Sequence, residues 1–250
     1  MEYKSLDEFF KDHKKLALAF SGGVDSAYLL YAGIKAGVDI KAYYVKSDFQ
    51  AAFELADAKR LAHELKAQME IIEIDVLADK NVRSNPARRC YYCKNKIFST
   101  IIERAQADGY RVLVDGTNAS DSYDDRPGMK ALEELKVLSP LRLAGLTKDQ
   151  IRKKSKEAGL FTWNKDSYSC LATRIPPGEE ISKDKLTKVE AAEDLLFSLG
   201  FKDFRARLVD GSFKIQVREA DLEKILDHRL EILEKLKTLS PVVVLDLEVR

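Results

Sequence analysis

The chain has 250 residues, 45% of them hydrophobic and 33% charged, with a formal net charge of +1. That length holds two modest cores or one large one, and the composition is that of an ordinary globular protein. So small a charge exerts no global pull on nucleic acid, and neither a signal peptide nor an apolar run of about 20 residues is present, so a cytoplasmic protein without membrane contact is expected.

Residues 16–20 form an apolar run that reads as a buried strand, and residues 27–35 form an amphipathic stretch that reads as a helix. Between them stand Ser21, Gly22, Gly23, Val24, Asp25 and Ser26. Paired glycines let the backbone turn sharply and bring its N–H groups close to a ligand. The helix N-terminus adds unpaired amides and a partial positive charge, so this strand–loop–helix suits a phosphate. Ser21 and Ser26 are its hydroxyl donors, and Asp25 is placed to hold magnesium beside the phosphates. A plain turn joining strand to helix is the bland alternative. The loop lacks the Walker spacing G-x-x-x-x-G-K-[ST] and its lysine. SGGVDS resembles instead the PP-loop of ATP pyrophosphatases, which grip the β,γ-diphosphate and cleave ATP to AMP.

Further strands are predicted over 39–45, 70–76 and 111–114, and helices over 51–67 and on through 97–107. Strands separated by helices of this length predict an α/β fold, a doubly wound parallel sheet with its ligand beyond the C-terminal strand ends. Lys46 and Ser47, and the run Asp115, Gly116, Thr117 and Asn118, then share that edge with SGGVDS. Ser47, Gly116 and Thr117 are therefore nucleotide-site candidates, although Asp115 and Asn118 are also ordinary turn formers. The polar segment 121–128, DSYDDRPG, reads as a loop that is either mobile or substrate-facing. Thr147 opens a helix to about 159 with the capping signal TKDQ.

Cys90, Cys93 and Cys170 are the three cysteines, and an odd number argues against a disulfide framework. Cys90 and Cys93 stand in RRCYYCK, where a spacing of three puts both sulfurs on one helical face. Arg88, Arg89, Lys94 and Lys96 crowd positive charge around them, either as a solvated face or as a setting for a phosphorylated small molecule. Three readings of the thiols compete. A zinc site lacks a neighbouring fourth ligand, the histidines being His13, His63 and His228; a redox dithiol leaves Cys170 unexplained; three thiolates on a 4Fe–4S cluster leave one iron open. Cys170 occupies a polar loop ending in Pro176, Pro177 and Gly178, with Arg174 near its sulfur. A buried inert cysteine is the alternative there.

After residue 177 the pattern changes to a helix over 183–199, a hairpin of 204–209 and 213–217 about Asp210 and Gly211, a helix over 220–236 and a strand over 242–247. This predicts one domain at 1–177 and a smaller α+β domain at 178–250. Arg205 and Arg207 alternate with apolar residues and leave one face of a strand, either to solvent or as a phosphate clamp.

Together SGGVDS, RRCYYCK, DGTNASDSYDDRPG, SPLRLAGLTKDQIR and SYSCLATRIPPGEEI resemble the LarE family along nearly the whole chain. The first motif marks only the superfamily, whereas GTN…RPG and CLATRIP in this order are more specific. The resemblance implies a PP-loop domain with a smaller C-terminal domain, and a sulfur transferase of the nickel-pincer cofactor pathway that serves lactate racemase. Such an enzyme adenylates a carboxylate of pyridinium-3,5-dicarboxylate mononucleotide with ATP and Mg2+. It then replaces AMP with sulfur to give a thiocarboxylate, at both carboxylates. Arg126, Arg174, Arg205 and Arg207 are the substrate-binding candidates. Family members with a single cysteine at the Cys170 position sacrifice it to dehydroalanine. This chain departs from that form in having Cys90 and Cys93 as well, and resembles the type in which three cysteines hold a 4Fe–4S cluster whose open iron carries the sulfur. A cluster-assembly or sulfide source is then a partner, and a homo-oligomer is expected. The alternatives are a cluster-dependent tRNA thiolase, against which the neutral charge counts, and a non-catalytic nucleotide-binding module.

Overall fold

The computed structural model describes residues 3–122 and 127–250, so Arg126 lies outside the described residues. In chain order the elements are α1 (Leu6–Asp12), β1 (Lys15–Ala19), α2 (Val24–Lys35), β2 (Asp39–Lys46), α3 (Ala52–Glu64), β3 (Gln68–Glu73) and α4 (Lys80–Arg83). There follow α5 (Arg89–Ala107), β4 (Leu113–Val114), α6 (Pro127–Glu134), α7 (Pro140–Leu143), α8 (Lys148–Glu157) and α9 (Lys183–Ser198). The chain closes with β5 (Arg205–Val209), β6 (Ser212–Gln216), α10 (Leu222–Asp227), α11 (Arg229–Leu236) and β7 (Val243–Leu245). No helix among the described residues is long and apolar enough to cross a membrane.

These elements divide between two compact units. The first holds the chain up to Ser47 together with Ala52–Val76 and Arg88–Lys165; the second holds Asp48–Ala51, Leu77–Ala87 and Asp166–Arg250. The division expected at 177 thus falls at Lys165, and two short earlier segments belong to the second unit. Backbone pairing far along the chain is the reason. The N–H of Leu171 donates to the Phe49 carbonyl at 2.9 Å, that of Gly178 to Asn85 at 2.8 Å and that of Ile181 to Arg83 at 2.8 Å.

In the first unit the four strands form a parallel sheet in the order β3-β2-β1-β4, the doubly wound arrangement expected. Strand β1 is covered on both faces, which is why it reads as an unbroken apolar run. Leu16 and Leu18 pack with Phe9, Phe10, Leu29 and Leu30. Ala17 faces the opposite core with Phe98, Ile101 and Tyr43. Each buried Leu or Phe side chain contributes about 1.5–3 kcal/mol. Strands β2 and β3 lie on one side of β1 and β4 lies on the other. At such a reversal a doubly wound sheet opens a crevice beyond its C-terminal edge. Ala17 pairs with Leu113 and Leu18 with Val114, so the loops leaving β1 and β4 start at the same level.

The second unit is built on a sheet ordered β5-β6-β7, with β5 and β6 antiparallel and β6 and β7 parallel. Asp210 and Gly211 both take positive φ, 46° and 75°, which matches the right-handed twist of a two-residue hairpin. Phe201, Phe204, Phe213 and Ile215 are buried in its core. The single helix expected over 220–236 is broken into α10 and α11 at His228, whose φ of −88° and ψ of 5° leave the helical range. The His228 ring lies edge-on to Phe201, with centroids 6.0 Å apart.

Candidate functional site

The loop after β1 is shaped by its own side chains. Gly22 has a φ of +72°, and a Cβ there would sit 3.1 Å from the Ala58 Cβ, so both conformation and space require glycine. The Ser26 hydroxyl donates to the Gly23 carbonyl at 3.2 Å, and the Gly23 N–H donates to the Ser21 hydroxyl at 3.3 Å. The two hydroxyls lie 3.1 Å apart. Ser21 and Ser26, expected as phosphate donors, thus first define the loop. Gly23 caps α2 with no side-chain hydrogen bond, which leaves the first amides of the helix available to an anion.

The loop after β4 is packed directly on that helix start. A Cβ on Gly116 would lie 2.9 Å from the Ser26 backbone nitrogen, so glycine is required there for close approach. The buried Asp115 carboxylate accepts from the Ser139 hydroxyl at 2.7 Å, the Thr117 hydroxyl at 2.5 Å and the Thr117 N–H at 3.2 Å. Asp115 is therefore an organiser of the loop, and it places Gly116 and Thr117 on the wall of a cavity of about 510 Å³. Ser21, Asp25 and Ser26 line the same cavity, as do Cys90 and Lys94 from the first turns of α5. Ser47 leaves the C-terminal end of β2 half-buried and does not line it.

Asp25 is the charged centre of this wall. Its Oδ2 accepts from the Lys148 ammonium at 2.5 Å, and its buried Oδ1 has no hydrogen-bond partner among the described residues. Burial pushes the carboxyl above its ordinary range, against the pull of Lys148. An orphaned carboxylate oxygen beside uncapped amides fits a magnesium ion that arrives with phosphates, which takes one or two carboxylates from a protein. Sequence reasoning missed Lys148. The capping box between Thr147 and Gln150 is present as expected, and it sets Lys148 in the first turn of α8. The visible signal was the helix start; the pairing spans 123 residues.

Cys90 is exposed and Cys93 half-buried on α5, and the Arg89 guanidinium donates to the Cys90 sulfur at 3.8 Å. Cys170 belongs to the second unit and is half-buried. None of the three is in a disulfide, so the donor chemistry suits a soft metal or cluster. No three metal-binding side chains are gathered among the described residues.

In the second unit Arg205 and Arg207 leave one strand face half-buried. Arg205 donates to the Ser169 hydroxyl at 3.1 Å and Arg207 to the Thr173 carbonyl at 3.0 Å, which sets both beside the segment that carries Cys170. Burial, with Arg174 and Arg250 adding repulsion, pushes Arg205 down to about 10 and lowers Arg207 as well. A bound anion would relieve that repulsion. Arg174 does not suit the substrate contact expected of it. It is wholly buried, and its guanidinium donates to both oxygens of Glu193, at 2.7 and 2.9 Å, and to Ser169 and Thr173.

Comparison with known proteins agrees with this geometry. The family of the queuosine biosynthesis protein QueC matches residues 15–89, the segment holding the glycine loop. The chain is 32% identical to the pyridinium-3,5-bisthiocarboxylic acid mononucleotide synthase of Lactiplantibacillus plantarum, over 92% of this chain and 84% of that protein. An uncharacterized protein of Synechocystis is also 32% identical, over 89% of this chain and 84% of its own length. A tRNA-specific 2-thiouridylase of Thermotoga petrophila is 26% identical, over 68% of this chain and 60% of that enzyme. At this identity over nearly its whole length, the chain belongs to the LarE family, and it is an ATP-dependent sulfur transferase of the PP-loop superfamily.

Proposed function

We propose that the chain activates a carboxylate of pyridinium-3,5-dicarboxylate mononucleotide as an adenylate and exchanges the AMP for sulfur. The observation that supports this most is the shared cavity lined by the SGGVDS loop, Gly116, Thr117 and Cys90. The amides at the start of α2 hold the β,γ-diphosphate, and Asp25 takes the magnesium that accompanies it. A substrate carboxylate oxygen then attacks the α-phosphorus; an O–P bond forms and pyrophosphate departs. Sulfur next attacks the acyl carbon, a C–S bond forms, and AMP leaves with the C–O electron pair. Arg205 and Arg207 bind the phosphate ester of the mononucleotide as charge-assisted donors. The three cysteines are the donor set we assign to a 4Fe–4S cluster, which would supply the sulfur for this exchange. The enzyme works in the cytoplasm as a homo-oligomer.

A second reading, thiolation of tRNA, is favoured by the 2-thiouridylase relatives. Anaerobic protein supplied with sulfide, ATP and magnesium separates them. Pyrophosphate release and an oxygen-for-sulfur mass shift are expected with the mononucleotide. The same signals with tRNA alone would select the second reading, and pyrophosphate with neither substrate would overturn both. Cys90→Ala is expected to abolish sulfur transfer and visible colour while leaving pyrophosphate release intact. Retained transfer with dehydroalanine at position 170 would replace the cluster with a sacrificial cysteine.

A further inference from the structure

We propose that Lys94 holds the α-phosphate of ATP, and of the AMP portion that remains after pyrophosphate departs. The proposal rests on the adenylating reading above. Lys94 stands one helical turn beyond Cys90 on α5, and both line the cavity that the SGGVDS loop lines. Among the described lining residues it is the sole cation, in company with the carboxylates of Asp25, Asp115 and Asp121. Those acids are engaged elsewhere: Asp25 by Lys148, Asp115 by Thr117 and Ser139, Asp121 by the Asn118 N–H. No hydrogen bond or ion pair joins the Lys94 side chain to another described residue. Among the described residues its ammonium is thus a point charge without a carboxylate partner, on the wall of a nucleotide-sized space.

Gly128 gives this position a second, independent mark. A Cβ on Gly128 would lie 2.8 Å from the Lys94 Cδ, 3.0 Å from its Cε and 3.2 Å from its Nζ. Gly128 is the second residue of α6, and its φ is not in the left-handed region. Nothing in its backbone calls for glycine, which costs a helix about 1 kcal/mol against alanine. A Cβ there would press on the outer half of the Lys94 side chain, which lies against the bare helix surface and would have to shift.

The charge has a chemical destination. The loop amides and magnesium grip the two phosphates that leave, and the SGGVDS loop carries no lysine of its own. The α-phosphate stays with the adenylate, and charge builds on its oxygens as the carboxylate attacks. An ammonium with room to move, one helical turn from Cys90, meets that need.

Titration calorimetry of the full chain with AMP, and separately with inorganic pyrophosphate, tests this. Lys94→Met is expected to weaken AMP binding roughly tenfold or more, the loss of one charge-assisted contact, with pyrophosphate binding unchanged. Lys94→Arg should restore AMP binding in part. Unchanged AMP affinity in Lys94→Met, or a loss confined to pyrophosphate, overturns the assignment while leaving the adenylating function standing. Failure of the wild-type chain to bind ATP or AMP at all overturns that function instead.

Discussion

Single residues near the sheet show how the same carboxylate chemistry is pushed in opposite directions. Asp108 accepts from Lys41 and from the Tyr43 hydroxyl, both at 2.7 Å, and these hydrogen bonds hold its pKa down to about 2 from 3.8. A depressed carboxylate stabilises the fold above its unfolded value, and that stability is lost as pH falls from about 3.8 toward about 2. Asp25 has the opposite sign. Its raised pKa means that ionising it in the folded chain opposes folding as pH climbs above 3.8. Urea unfolding across this pH range is expected to show Asp108→Asn less stable than wild type at neutral pH. The difference should shrink as the acid side is approached. A difference that stays constant with pH would mean that the Lys41 contact does not govern this titration.

At the scale of elements, the second unit hangs on one buried ion pair. Glu193 on α9 receives the Arg174 fork, the Tyr168 hydroxyl at 2.5 Å and the Ala206 N–H of β5 at 3.0 Å. The pair ties a helix, a strand and the Cys170 segment together, with side chains 0% and 1% exposed. Removing one partner strands the other as a buried charge, and Glu193→Ala is expected to cost about 3–5 kcal/mol of folding stability. Denaturant titration followed at a probe within the second unit measures this. A loss below about 1 kcal/mol would match the value of an exposed pair and contradict the burial. Arg205 and Arg207 lie beside this pair, and among the described residues neither forms an ion pair with a carboxylate, so they rather than Arg174 are the anion ligands we propose.

For the whole molecule, two units with separate cores predict separate responses to ligands. A ligand held at about 100 times its Kd stabilises the folded state it binds by about 2.7 kcal/mol. Magnesium and ATP are expected to raise the unfolding transition of the unit that carries SGGVDS. A phosphate monoester should raise that of the unit carrying Arg205 and Arg207. Hydrogen exchange, which resolves protection segment by segment, reads the two effects apart. Protection by the monoester confined to α2 and its loop would assign both anions to the first unit and remove the arginine pair from substrate binding.

What was legible in the chain is what short-range rules encode. The buried strand, glycine loop and helix start at 16–35, the hairpin at Asp210 and Gly211 and the capping box at Thr147 each depend on neighbours within a few residues. The placing of SGGVDS beside Asp115, Gly116 and Thr117 also followed, because strand alternation dictates which loops share a parallel sheet's C-terminal edge. Side-chain partnership across the fold did not follow. A lone lysine at 148 looks like a surface residue in sequence, and neither the glycine at 128 nor the arginine at 174 shows there which side chain it meets. Only the folded chain puts Lys148 on Asp25, lays Lys94 over Gly128 and buries Arg174 against Glu193. The same holds for the division at Lys165, set by hydrogen bonds from Leu171, Gly178 and Ile181 back to segments far earlier in the chain. Local propensity carries no record of such contacts, because desolvation and pairing of a charge depend on what tertiary packing brings to it.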